Sequence, residues 1–293
     1  GDASAGAVRE IGETAHALGY IVIANQRFTD LYEWGQRSTP LTLAAEIQHQ
    51  LLPNALTCEA DQFTLAGSLE PAHQVGGDTF DYAFDRETLH LSLTDAMGSG
   101  VRSALAATLL VGALRGARRA GADLVEQARR ADLALTEHEH DHATGLLMRV
   151  ELRTGRVDVV NAGHVLPLRL RNGRVEELWL EPNMPFGIPF PHTYTVQHVD
   201  LQPGDRLMLL TDGVLERSGL DVATLIGRAH RLHPREAARY LTLEVIRAHQ
   251  GNLRDDATVL CLDWYGVERP ARTASGGASQ DLASPAVRDE HRA

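Results

Sequence analysis

The sequence predicts an α+β protein in which helices cover sheets. Three observations carry this. Leu89, Leu91 and Leu93 alternate with His90, Ser92 and Thr94, the period-2 pattern of a strand with one buried face. Asn172-Gly173 stands between two apolar runs, 165–171 and 175–179, and marks the turn of an antiparallel hairpin. Ala- and Leu-rich stretches at about 103–119 and 123–139 follow one another directly, so helices come in pairs beside hairpins.

The first element lies in residues 1–37, where Leu18, Ile21, Val22, Phe28, Leu31 and Tyr32 recur at helical spacing. It reads as a linker helix pairing with a partner or a second copy, or equally as a helix packed on its own domain or a fragment of an upstream one. Gly19 argues against one continuous helix. A capped helix is expected next, with Thr39 as N-cap and Pro40 at the first helical position, where its missing N–H costs nothing. Leu41, Ala44, Ala45, Ile47, Leu51 and Leu52 line one side of it, and Pro53 stops it. Strands follow at 63–69, 79–84 and 89–94, then the helix pair. Strands 145–152 and 157–161 turn at Arg153-Thr154-Gly155, and 194–199 and 206–210 turn at Pro203-Gly204-Asp205. Helices near 221–229 and 234–249 precede a last strand at 258–263. Large apolar residues become scarce after about residue 268, so 268–293 reads as a disordered tail.

A chain of 293 residues with 43% hydrophobic content can bury one large core. Its net charge of −11 argues against nucleic acid and against an acidic membrane face as partners. Cys58 and Cys261 form no framework, which fits a reducing, cytoplasmic location. No apolar run reaches the roughly 18 residues a membrane helix needs. The chain begins at Gly1 without Met, which leaves room for an upstream segment.

Four acidic motifs carry the chemistry: Gly76-Gly77-Asp78-Thr79-Phe80-Asp81, Asp95-Ala96-Met97-Gly98-Ser99-Gly100, Thr211-Asp212-Gly213 and Arg254-Asp255-Asp256-Ala257-Thr258. Each places an Asp at or near the end of a strand-like run, so carboxylates gather at one sheet edge. Carboxylate oxygen suits Mg²⁺ and Mn²⁺, and several around open positions suit a two-metal centre acting on a phosphate ester. The glycines at 98 and 100 are expected to permit close backbone approach. Asp255 and Asp256 cannot both point inward, because side chains alternate in an extended chain.

The ordered set GGDxxD, DxxGxG, TDG, DDxT resembles the SpoIIE-like branch of the metal-dependent (type 2C) protein serine/threonine phosphatases, over roughly residues 44–265. Gln50-Leu51-Leu52-Pro53, Asn161-Ala162-Gly163-His164 and Pro185-Phe186-Gly187 support it. The resemblance implies two stacked, mainly antiparallel β-sheets flanked by helices, an αββα sandwich with metals at one end. It implies a domain at 38–267 that includes the lead-in helix. It implies two Mn²⁺ or Mg²⁺ ions held by Asp78, Asp95, Asp212, Asp255 and the backbone carbonyl of Ala96, with Asp95 bridging. Asp81 would support Asp78 or hold a weaker ion, and Asp256 would stand in the outer shell.

The implied reaction is phosphate monoester hydrolysis by metal-activated water. The implied substrate is a phosphorylated regulatory protein, an anti-anti-sigma-type factor; the apolar spacing of the N-terminal helix, apart from the resemblance, adds a homodimer through the N-terminal helices as a candidate assembly. Ser99 departs from the family, which often has His there, and Met97 stands where the broader type 2C family has its His. A protein general acid is therefore not evident at these positions. Two rivals remain: a two-metal phosphoesterase acting on a small molecule, and a non-catalytic signalling scaffold of the same fold. Glu137-His138-Glu139-His140-Asp141-His142 reads as a solvated connector, His164 as a turn residue, and Arg115, Arg118, Arg119, Arg129 and Arg130 as solvated helix faces.

Overall fold

A computed structural model describes residues 5–29, 41–72, 76–137, 142–215 and 220–267. The expected tail, Leu31, Tyr32, Thr39, Pro40 and positions 138–141 of the His and Glu tract lie outside the described residues. Two compact units result, Gly1–Leu41 and Thr42–Ala293. The first contains α1 (Ala5–Phe28), which runs unbroken through Gly19. One glycine costs a helix about 1 kcal/mol relative to Ala, too little to stop 24 residues. Ile11, Leu18 and Ile21 on α1 are exposed.

The second unit opens with α2 (Leu43–Leu51). Its cap is Thr42, not Thr39: the Thr42 hydroxyl accepts from the Ala45 N–H at 3.2 Å. The helix starts where its buried face starts, at Ala44 and Ala45. β1 (Thr57–Glu59), β2 (Phe63–Glu70), β3 (Asp78–Phe84) and β4 (Thr88–Ala96) lead into α3 (Val101–Arg119) and α4 (Leu124–Thr136). β5 (Ala143–Glu151), β6 (Arg156–Ala162), β7 (Leu168–Arg171), β8 (Arg174–Glu177), β9 (Gln197–Asp200) and β10 (Arg206–Leu210) follow. The unit closes with α5 (Asp212–Leu215), α6 (Val222–Arg228), α7 (Pro234–Ala248) and β11 (Ala257–Trp264).

Two antiparallel sheets form, in strand orders β1-β2-β11-β10-β7-β8 and β3-β4-β5-β6-β9. Their facing sides share one apolar core, including Phe80, Leu91, Leu93, Met148, Leu209, Leu260 and Trp264. The outer side of the five-stranded sheet packs on α3 and α4 through Leu110, Ala128 and Leu147. The outer side of the six-stranded sheet packs on α6 and α7 through Met208, Ile226 and Leu241. This is the expected helix-covered pair of stacked sheets.

Differences from expectation are local. β7 begins at Leu168 and β9 at Gln197, each three residues late. Tyr194 instead buries its ring against Phe186, centroids 5.7 Å apart, outside the ladder. β1 and α5 were not expected, since three and four residues show no periodicity.

Candidate metal centre

Register and pleat decide which acids meet. On β3 and β4 the core-facing rows are Tyr82, Phe80 and Leu91, Leu93. Side chains alternate along a strand, so the next residues in those rows are Asp78 and Asp95. They are direct cross-strand partners. Both rows thus run apolar through the core and become acidic at one end of the sandwich. In the other sheet, Leu209 and Leu260 face the same core, and the inward positions that follow are Thr211 and Thr258.

The two ends join there. Asp78 is buried, and its Oδ2 accepts from the Thr211 hydroxyl at 2.7 Å and the Thr258 hydroxyl at 2.6 Å. Asp256, also inward, is engaged by backbone: Ala72 N–H reaches Oδ1 at 2.8 Å and Gly77 N–H reaches Oδ2 at 3.2 Å. Gln48 of α2 spans the same point. Its Nε2 donates to Asp256 Oδ2 at 2.6 Å and to the Asp78 carbonyl at 2.8 Å. Asp255, next in sequence, is exposed, and its Oδ1 accepts from the Asp256 N–H at 2.9 Å, so the buried, inward member of the pair is Asp256.

The motif glycines have two different reasons. A Cβ on Gly77 would fall 2.1 Å from the Ala96 carbonyl oxygen, and one on Gly213 would fall 2.1 Å from that of Asp256. These two sites require backbone contact. Gly98 has open space around it and does not serve close approach as expected; Gly98 and Gly100 carry φ of 108° and 72°, the region only glycine enters freely.

Burial first, then the charges of Asp212, Asp255 and Asp256, push the Asp95 carboxyl up to about 7. Burial first, then Asp95 and Asp256, also hold Asp78 well above the usual range. His164 supports the cluster from behind. Its Nε2–H donates to the Leu210 carbonyl at 3.1 Å, and its Nδ1 accepts from Thr144, the cross-strand partner of Asp95, at 2.7 Å. Burial drives its pKa down to about 4, so the ring is neutral. The Asn161 side chain closes the turn, accepting from the His164 N–H at 2.7 Å. His164 is a turn and brace residue, as its sequence suggested.

Asp81 is corrected. Three residues from Asp78 on a strand is the opposite face, and there Arg115 and Arg118 of α3 grip it at 2.9 and 3.0 Å. It supports neither Asp78 nor an ion. The same contacts correct Arg115 and Arg118, which are clamps rather than solvated faces; Arg115 also donates to the Leu51 carbonyl at the end of α2 at 2.8 Å. Gln48 was missed. Its one sequence signal is a polar residue in the apolar row Ala44, Ala45, Leu52.

The profile of the family described as Stage II sporulation protein E (SpoIIE) matches residues 85–265, more than half of the chain. The chain belongs to the SpoIIE family. Phosphoserine phosphatase RsbP of Bacillus subtilis (strain 168) is 24% identical over 183 residues, covering 60% of this chain and 45% of that protein. The chain therefore spans about half of that relative. The PP2C phosphatase domain of SpoIIE from Bacillus subtilis, solved with a fragment of its regulatory domain, matches with a TM-score of 0.61 at 21% identity. That match covers 72% of this chain and 64% of the other. The catalytic domain of the serine threonine protein phosphatase PstP, solved with 2 manganese ions, matches with a TM-score of 0.54 at 17% identity, covering 70% and 99%. The fold is that of PP2C-type phosphatases, a hydrolase family.

The donor set fits a divalent cation in kind. Asp78, Asp95, Asp212 and Asp255 are oxygen donors, and burial first, then crowding by neighbouring acids, makes the carboxyls of Asp78 and Asp95 hold protons more readily than usual. A divalent ion relieves that repulsion. Among the described residues, no three acidic, His or Cys side chains stand close enough to grip one ion as placed. The chemistry fits, and closure onto an ion requires the side chains to draw together. Among the described residues, no helix is long and apolar enough to cross a membrane.

Proposed function

We propose that this chain is a Mn²⁺- or Mg²⁺-dependent protein serine/threonine phosphatase of the cytoplasm. The observation that carries it is the change of the core-facing rows of β3 and β4 from apolar residues to the paired Asp78 and Asp95, beside Asp212 and Asp255. Those four side chains and the Ala96 carbonyl would hold two ions, with Asp95 bridging. The PstP catalytic domain, solved with 2 manganese ions, supports manganese and the count of two. Bound divalent ions supply charge neutralisation at a phosphate and activation of water.

The chain's own residues have separate tasks. Thr211 and Thr258 fix Asp78 Oδ2 and leave Oδ1 for an ion. Asp256 ties the start of β3 to the start of β11 and does not ligate. Met97 and Ser99 are exposed and bring no proton donor of ordinary strength, so neither supplies the leaving-group proton. The substrate is a phosphorylated regulatory protein of the anti-anti-sigma type, a choice supported by the family and by RsbP's name as a phosphoserine phosphatase. Residues 38–267 form the catalytic part, and α1 pairs with a second copy through its exposed apolar residues. Hydrolysis of p-nitrophenyl phosphate with and without Mn²⁺ tests the chemistry: no Mn²⁺-dependent turnover means a scaffold. A panel of phosphoproteins then separates a protein phosphatase from a small-molecule phosphoesterase.

A further inference from the structure

A groove of about 500 Å³ opens between the β7–β8 hairpin and α6, a size that accepts a side chain or a short segment. Its walls are apolar: Leu168 and Val175 from the hairpin, Leu215 from α5 and Val222 from α6. Its rim is acidic, with Glu177 and Asp221 both exposed. Asp221 caps α6, and its hydrogen bonds to Thr224 hold its carboxyl below the usual range, so it stays ionised. Among the described residues Glu177 has no cationic partner, whereas Glu176, which also borders the groove, is held by Arg169.

The groove adjoins the acidic cluster along two pieces of chain. α5 is a single turn with Asp212 at its start and Leu215 at its end, about 5 Å along the axis. Val165, which also lines the groove, directly follows His164. A chain lying across this edge would present one residue to the carboxylates and another to the groove.

We propose that the groove seats an apolar side chain of the protein substrate, with a neighbouring Lys or Arg meeting Glu177 and Asp221. This rests on the phosphatase reading above and adds to it a sequence preference around the phosphoserine. Charge decides the occupant: an apolar floor under two carboxylates, on a chain of net charge −11, favours an apolar-basic segment and repels an acidic one. At about 3.3 Å per extended residue, a step of about 5 Å along α5 sets a minimum of about two positions between the phosphoserine and the seated residue, and the test scans roughly two to five.

The test uses synthetic phosphoserine peptides that carry Leu-Arg, Gly-Arg, Leu-Glu or Gly-Glu at each of those spacings, with p-nitrophenyl phosphate as a probe too small to reach the groove. Wild-type protein with Mn²⁺ should show kcat/KM about tenfold higher for the best Leu-Arg peptide than for its Gly-Glu counterpart. Val175→Glu should remove the Leu preference and Glu177→Lys the Arg preference, both with p-nitrophenyl phosphate turnover unchanged. Equal kcat/KM for all four peptide types, or preferences that survive both substitutions, overturns the proposal. Should p-nitrophenyl phosphate itself resist hydrolysis, the phosphatase reading fails separately. Fluorescence anisotropy of the same labelled peptides against the same variants then decides the groove.

Discussion

At the scale of single residues, two glycines and one histidine do work that sequence motifs record without explaining. Gly213 touches the Asp256 carbonyl so closely that a methyl group there must push two motif backbones apart. We expect Gly213→Ala to lose about 3 kcal/mol or more in urea unfolding. Gly112→Ala, at a helical glycine with open space around it, should be neutral or stabilising. Equal losses would remove the close-contact explanation. His164 gives a pH signature. Its folded pKa of about 4 lies below the ordinary 6.5, so the unfolded chain takes up the proton first as pH falls. Its contribution to stability is whole above about pH 6.5 and disappears toward pH 4, amounting to about 3 kcal/mol. His164→Gln should flatten that part of the stability–pH curve, and an unchanged slope would show that the ring titrates in contact with water. The same scale shows why Asp81 misled. The motif GGDxxD puts two acids three apart, and only strand parity reveals that they face opposite sides of β3.

At the scale of elements, α2 is the most informative. Its buried Gln48 touches both the Asp78 carbonyl and the Asp256 carboxylate, and its last carbonyl is held by Arg115, which also grips Asp81. A shift of α2 therefore moves the start of β3, and Asp78 with it. We expect Gln48→Ala to change Mn²⁺ affinity about tenfold with only a small loss in Tm, as a coupling between helix and site requires. The paired substitution Leu51→Gln and Leu52→Gln should lower stability as well, since Leu52 enters the central core. Lower stability with unchanged metal affinity and turnover in both variants would leave α2 a structural cover. The position of α2 was legible from Pro53 and its apolar row. Its role was not, because Gln48 meets partners 30 and 208 residues away in sequence, and no local pattern encodes that distance.

At the scale of the whole molecule, period-2 alternation and the Asn172-Gly173 turn were enough to read strands and hairpins. The stacking of two sheets came from the motif order, since alternation says which face is buried and not against what. The gathering of Asp78, Asp95, Asp212 and Asp255 at one end was legible because each motif closes or opens a strand. The threonines that receive Asp78 were not, because Thr211 and Thr258 read only as ordinary strand-end residues. One consequence belongs to the entire fold. An ion that binds only the folded protein stabilises it by mass action, about 2.7 kcal/mol at a hundred times its Kd. Mn²⁺ should therefore raise Tm, EDTA should reverse the rise, and an unmoved Tm at saturating Mn²⁺ would exclude a site within the cooperative fold. The most direct test of the central claim is hydrolysis of a phosphoserine peptide by EDTA-stripped protein across a Mn²⁺ titration, run for wild type and for Asp95→Asn with folding checked by circular dichroism. The account predicts turnover that appears only with Mn²⁺ in wild type and none at any Mn²⁺ concentration in the folded variant. Full turnover without metal, or near-wild-type turnover by folded Asp95→Asn, would contradict it.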